Sequence, residues 1–98
     1  MISKLSIIIP AFDEEKTIHL ILDKVKDVVL MNNLTKEVII IDDCSRDQTY
    51  KRIQEYQLAT PELNIQLFRH EKNKGKGAAL HTGIKEATGD IIVIQDAD

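Results

Sequence analysis

Residues 37–42 read EVIIID, and Asp43 follows: four consecutive β-branched residues, Val38 to Ile41, entered through Glu37 and left through a pair of aspartates. A run this apolar, with no polar residue every second position, suits a strand covered on both faces, as strands in parallel sheets flanked by helices are. Leu5–Pro10 (LSIIIP) and Asp90–Ile94 (DIIVI) have the same character, and Asn64–His70 is a less regular version with a more exposed face. Between these runs the period changes. From Glu14 to Leu30 the apolar residues Ile18, Ile21, Leu22, Val25, Val28 and Val29 recur at spacings of three and four, one stripe of a 3.6-residue helix. Asp13 is its expected N-cap, Glu14 and Glu15 suit the positive end of the helix dipole, and Asn32 and Asn33 are expected to close it.

Ser45 with Gln48 three residues later has the form of a capping box, so a second helix is expected from there through Tyr50 and Ile53 to about Leu58. A polar loop, Glu71–Lys76, leads into a third helix carrying Ala79, Leu80, Gly83, Ile84 and Ala87, with Gly89 expected as a left-handed C-cap. The order β-α-β-α-β-α-β predicts a three-layer α/β/α domain with a mostly parallel sheet and right-handed crossovers. Ligands of such sheets bind at the carboxyl ends of the strands.

Composition narrows the choice. The 98 residues, 43% hydrophobic and 30% charged, suffice for one small core. A net charge of -3 and few aromatics argue against a nucleic-acid partner. The single cysteine, Cys44, excludes an internal disulfide and a multi-cysteine zinc site, and fits a reducing compartment. The apolar run after Met1 is too short for a signal peptide or membrane span, so a cytoplasmic location is expected.

Three of the four strand ends carry paired acids: Asp13-Glu14-Glu15, Asp42-Asp43 and Asp96-Ala97-Asp98. Any one pair can be a set of helix caps. Three on one rim repel each other, and a divalent cation or the hydrogen-bond donors of a ligand would offset that repulsion. Asp42 suits a donor-bearing ligand. Asp96 and Asp98, one residue apart, offer the hard oxygens that Mg²⁺ or Mn²⁺ prefers, and Mg²⁺ commonly completes its shell with water and phosphate oxygens, which implies a diphosphate ligand. Gly75-Lys76-Gly77 lacks the third glycine and the first-strand position of a dinucleotide fingerprint, and no P-loop pattern occurs. These glycines read as a tight entry to the third helix, with Lys74 or Lys76 as phosphate neighbours. His19, His70 and His81 have no matching ligand cluster and read as structural, and Cys44 as a small turn residue.

The series LSIIIPAFDEEKTI, EVIIIDDCSRDQT and HEKNKGKGAALHTGIKEATGDIIVIQDAD resembles the N-terminal half of family 2 glycosyltransferases of the GT-A fold, in the dolichyl-phosphate mannosyltransferase-like and glucosyltransferase-like branch. The resemblance covers nearly the whole chain. It implies that Pro10, Phe12 and Glu14 line a nucleotide pocket, although the family's usual P-x-Y-N-E has Phe12 for the tyrosine and Asp13 for the asparagine. It further implies that Asp42, with Ile40 nearby, reads the base, while Asp43 holds the loop. Asp96, Ala97 and Asp98 match the metal and diphosphate motif. Asp96 and Asp98 are then the metal ligands, and Asp98 is the residue expected to act directly in catalysis.

The implied reaction is inverting transfer of a hexose from a nucleotide diphosphate sugar, GDP-mannose or UDP-glucose, to an acceptor such as a polyprenyl phosphate, with Mg²⁺ or Mn²⁺. Residues 1–98 are expected to form only the nucleotide-sugar-binding half, truncated at the D-x-D motif. Such a half would bind nucleotide without turnover, pair into a homodimer through an exposed edge, and belong to a full-length protein associated with membranes. Two competitors share the architecture. A receiver-like regulatory module would hold Mg²⁺ between paired acids, but it places its acid pair after the first strand, where this chain has Pro10. A sugar-phosphate nucleotidyltransferase needs a glycine-rich loop there, and Pro10–Glu15 contains no glycine.

Overall fold

In the computed structural model, residues 3–29 and 34–97 are described. The apolar runs become strands β1 (Lys4–Ala11), β2 (Thr35–Asp42), β3 (Ile65–Arg69) and β4 (Ile91–Ile94), and the amphipathic stretches become helices α1 (Ile18–Val29), α2 (Thr49–Ala59) and α3 (Lys76–Glu86). All strand pairs are parallel and the order is β3-β2-β1-β4. Ile7 pairs with Val38 on one side and with Val93 on the other.

The absence of alternation in β1 and β2 has the cause inferred from the sequence. Ile7, Ile9, Val38 and Ile40 pack with Ile18, Leu22, Val25 and Ile53 of α1 and α2. Ile8, Ile39 and Ile41 point to the opposite face and pack with Ala79 of α3. Successive side chains of a strand point to opposite faces, so covering both faces makes every position apolar. On the second face the helix comes close: a Cβ at Gly83 would lie 2.4 Å from Ile8 Cγ2. Only glycine admits the backbone at that distance.

Because α3 returns the chain from β3, at one edge, to β4 beside β1, the connection direction reverses between β1 and β4. That reversal opens a crevice at the carboxyl ends of these two strands, the switch point where open α/β sheets bind ligands. β4 is the outer strand, with Ile91 to Ile94 38–48% exposed, an interior-type sequence at a sheet edge.

At the amino end of the sheet, Glu37 is fully buried. It accepts from Ser6 Oγ (2.6 Å), Gln66 Nε2 (3.0 Å), and the Thr88 amide (2.7 Å) and hydroxyl (3.0 Å), with Lys4 Nζ at 3.4 Å. Burial pushes its pKa up, but these donors outweigh burial and hold it at about 2. Glu37 ties β1, β2, β3 and the segment leading into β4 together, a role its place at a strand entrance did not announce.

Several caps differ from expectation. Asp13 is not the α1 N-cap: its φ is 52° and its carboxylate is turned to Arg46, and α1 begins at Ile18 after a turn in which the Thr17 and Ile18 amides donate to the Glu14 carbonyl. Gln48 rather than Ser45 precedes α2 as its cap, because the Ser45 hydroxyl is committed to Asp42. Helix α3 ends at Glu86 with Ala87 extended, and Gly89 donates its N–H to Ser6 Oγ at 2.8 Å instead of forming a left-handed cap. Asn32 and Asn33, expected to close α1, lie outside the described residues.

Candidate nucleotide-binding site

The crevice at the switch point holds a cavity of about 300 Å³ lined by Pro10, Ala11, Phe12, Asp43, Asn73, Gly75, Lys76, Ala79 and Asp96. Its floor is the end of β1. Pro10 and Ala11 are buried, and the chain leaves the strand through Phe12, whose ring carries the Arg46 guanidinium 5.3 Å above its centroid. Arg46 also grips Asp13: its amide donates to Oδ1 at 2.7 Å, and Nε and Nη2 donate to Oδ2 at 2.9 and 2.5 Å. These bonds hold the Asp13 pKa below the usual carboxylate value. The loop after β1 is thereby bolted to the loop after β2, with further bonds from the Asp13 amide to Ser45 Oγ (2.9 Å) and from the Glu14 amide to Thr49 Oγ1 (2.7 Å).

The two aspartates that end β2 divide by strand parity. Asp42 points to the α1/α2 face, is fully buried, and accepts from the Ser45 hydroxyl, with Arg69 Nε 3.3 Å away. Burial raises its pKa, and the Ser45 and Arg69 contacts offset only part of that. Arg69 is itself stacked 4.8 Å over the Tyr50 ring. Asp43 points to the α3 face and to the cavity. Its Oδ1 accepts from His70 Nδ1 (2.8 Å) and the Lys74 amide (2.9 Å), and its Oδ2 from the Gly75 amide (2.8 Å). Burial works to raise its pKa, but these donors prevail and lower it. With Asp43 ionised, His70 Nδ1 must carry its proton, and Nε2 meets the Thr82 hydroxyl at 2.9 Å.

Asp43 thus gathers the turn before α3. The turn's last residue, Gly75, has φ 94° and ψ 162°, a region essentially reserved for glycine. Asn73 donates to the Asp43 carbonyl at 3.2 Å. On the other side of the cavity, Lys76, the first residue of α3, forms an ion pair with Asp96 Oδ2.

Of the residues singled out in the sequence, Pro10, Phe12 and Asp96 come together on the cavity wall. Ile40 and Asp42 do not: Ile40 is in the core beneath α1 and α2, and Asp42 is sealed on that same face. Ala97 is likewise packed into that core. Glu14 opens onto a separate shallow surface with Lys16 and Asp47. Asp98 lies outside the described residues. Asp43, Asn73, Gly75 and Ala79 were not proposed as pocket residues, and Lys76 only as a phosphate neighbour. For Asn73 and Gly75 the signal that could have found them is the Asn73-x-Gly75 spacing directly before a helix, which marks a tight turn.

The parallel four-stranded sheet with its flanking helices matches the GT-A glycosyltransferase fold of the solved structures it superposes on. The chain belongs to glycosyl transferase family 2, whose family model matches residues 6–98. It is 33% identical to the dolichol-phosphate mannosyltransferase of Pyrococcus furiosus over 95 residues, covering 97% of this chain and 26% of that protein. It is 32% identical to the human dolichyl-phosphate β-glucosyltransferase over 100 residues, covering 97% and 31%. Staphylococcus aureus TarS 1-349 in complex with UDP superposes with a TM-score of 0.86 at 30% identity, covering 97% of this chain and 27% of that one. The mannosyltransferase PcManGT of Pyrobaculum calidifontis, in complex with GDP-Man and Mn²⁺, gives 0.79 at 29% identity, covering 96% and 27%. The chain therefore spans between a quarter and a third of the length of these relatives. Family membership sets aside the receiver-like reading. Among the described residues, no helix is long and apolar enough to cross a membrane.

Proposed function

We propose that this chain forms the nucleotide-binding half of a glycosyltransferase that moves a hexose, with inversion, from a nucleoside diphosphate sugar to an acceptor such as a polyprenyl phosphate. The observation that carries the reading is the convergence of Phe12, Asp43, Lys76 and Asp96 on one cavity at the switch point. An aromatic wall offers a face for a nucleobase to stack on. The half-exposed Asp96 carboxylate can accept from ligand donors, and the ammonium suits phosphate oxygens. In this reading Asp43 takes the base-side place that the family resemblance gave to Asp42, because Asp43 is the member of the pair on the cavity wall. Donor and acceptor are proposed from the relatives: GDP-mannose or UDP-glucose, and a lipid phosphate, with the whole protein working at the cytoplasmic side of a membrane.

A divalent cation fits the residues in a limited way. Asp96 presents a half-exposed carboxylate of hard oxygens to the cavity. Among the described residues, no cluster of three or more His, Cys, Asp or Glu that could hold a metal is formed. The donor set therefore suits Mg²⁺ or Mn²⁺ drawing most of its shell from water and phosphate oxygens, with Asp96 and Asp98 as the protein's share. When bound, such a cation supplies Lewis-acid stabilisation of the departing nucleoside diphosphate. This chain's residues bind and orient: Phe12 and its Arg46 brace fix the base end, and the Asp43-anchored turn fixes Lys76 beside the phosphate end. An acceptor phosphate is already anionic and calls for no general base from this half.

Calorimetric titration of the chain with GDP, UDP and their sugars, with and without Mn²⁺, tests the reading. Expected is base-selective binding that needs the cation and is weakened by Phe12→Ala and by Asp96→Ala. Binding of none of these ligands, by a chain shown to be folded, would sink it.

A further inference from the structure

His70 follows β3, and its ring is buried on the face that α3 covers. Its root is fixed: the His70 amide donates to the Asp42 carbonyl at 3.0 Å, one step beyond the β2–β3 ladder. The Asp43 amide donates to the Ala11 carbonyl at 2.9 Å, so the root of its partner is fixed as well. Between these roots Nδ1 meets the carboxylate at 2.8 Å, and Thr82 of α3 holds Nε2 at 2.9 Å. The same face of the sheet packs through Ile8, Ile39, Ile41 and Ala79. For stability alone an apolar pair is often as good in such a place, because desolvation offsets much of the attraction between buried polar partners. What the imidazole adds is direction.

We propose that His70 is a positioning residue of the nucleotide site, acting through Asp43. It is not one of the residues lining the cavity, whereas Asp43, Asn73 and Gly75 are. The turn that carries Asn73 and Gly75 hangs on Asp43: Oδ1 accepts from the Lys74 amide, Oδ2 from the Gly75 amide, and the Asp43 carbonyl from Asn73 Nδ2. The His70 Nδ1–H sets the plane of that carboxylate, so that one oxygen faces each amide. Without this donor the carboxylate is free to turn about its Cβ–Cγ bond, and Asn73 and Gly75 lose their fixed place on the wall. A wall ordered beforehand loses less freedom when a ligand arrives, which strengthens binding. Thr82 holds the far side of the ring and serves stability alone. The inference rests on the reading of the cavity as a nucleotide site.

The test compares two amide replacements that each keep one side of the ring's hydrogen bonding. His70→Asn places a donor near the Nδ1 position, His70→Gln places one near Nε2, and both remove the ring. Thr82→Val removes only the Nε2 partner. Affinity for GDP and UDP with Mn²⁺ is measured by calorimetry, below the melting temperature of every form. Expected is that His70→Asn and Thr82→Val bind within about twofold of wild type while His70→Gln binds about tenfold more weakly, the scale of one charge-assisted hydrogen bond. Both His70 variants should melt lower than wild type, so stability alone does not predict the difference between them. Equal affinity of the two His70 variants, or a loss in Thr82→Val that matches His70→Gln, overturns the positioning role and leaves the proposed function standing. Nitrogen NMR of the wild-type imidazole gives a readout that does not depend on any variant folding: Nδ1 should carry a proton, and the Lys74 and Gly75 amides should shift when the nucleotide is added. A proton on Nε2 alone overturns the positioning role by itself. A folded wild-type chain that binds neither nucleotide overturns both.

Discussion

The Asp43 carboxylate and the His70 imidazole, 2.8 Å apart and both buried, join the ends of β2 and β3 on the face covered by α3. Through Nε2 the same ring reaches Thr82 in α3, and through its second oxygen the same carboxylate holds the Gly75 amide. The part of the cavity wall that Asp43 forms is therefore held by a charge-assisted network, beside the apolar part formed by Pro10, Ala11, Phe12 and Ala79. Asp43→Ala removes the acceptor for three donors at once. The expected loss is roughly 1–3 kcal/mol, carried mainly by the buried His70 donor, which keeps its desolvation penalty when left without a partner. Urea unfolding of the variant checks this, and an effect under half a kcal/mol would show that water replaces the carboxylate.

Gly75→Ala tests the same turn through its backbone. With φ at 94° and ψ at 162°, an alanine there is strained by roughly 1–3 kcal/mol although open space surrounds its Cβ. A thermal melt equal to wild type would mean that the turn relaxes.

Acid should weaken the fold through Glu37. Its ordinary pKa of 4.5 falls to about 2 in the folded chain, so the unfolded state takes up the proton first as pH drops. The stabilisation is complete above 4.5 and disappears as pH falls from there through about 2, amounting to about 3 kcal/mol at most. Asp43, also lowered, acts in the same direction, while the raised pKa of Asp42 acts in the opposite one. Unfolding midpoints measured between pH 7 and pH 2 should fall, and Glu37→Gln should flatten the curve.

At the contact between α3 and β1, Gly83→Ala forces a methyl to 2.4 Å from Ile8 Cγ2. Overpacking of this kind costs roughly 1–3 kcal/mol. In an Ile8→Ala background, where the obstructing atom is gone, the same substitution should cost much less. Equal costs in the two backgrounds would show that the helix shifts as a whole.

Arg46 braces Phe12 and Asp13 from the solvent side, with an 80% exposed side chain. Arg46→Ala should change stability by less than about 1 kcal/mol, as exposed pairs do. If the proposed function holds, it should weaken nucleotide binding several-fold by freeing the Phe12 ring. Calorimetry that finds equal affinity would remove Arg46 from the site.

Local chemistry determined most of the architecture from sequence alone. β-Branched runs cannot be amphipathic helices, the spacing from Ile18 to Val29 cannot be a strand, and alternation of the two forces parallel pairing with crossovers. Pro10 near the end of β1, Phe12 just after it and Asp96 after β4 were legible as candidates for the cavity wall because strand ends are where the chain turns outward. What the sequence could not divide was Asp42 from Asp43. Both faces of β2 are covered, so the apolar run carries no alternation from which to read which aspartate faces which layer. Only the docking of α3 over Ile8, Ile39 and Ile41 decided that Asp43 meets His70 and the Gly75 turn while Asp42 is sealed against Ser45 and Arg69. The same docking brought Lys76 to Asp96, a contact between residues 20 positions apart that no periodicity encodes, since it depends on where a helix begins relative to where an edge strand ends.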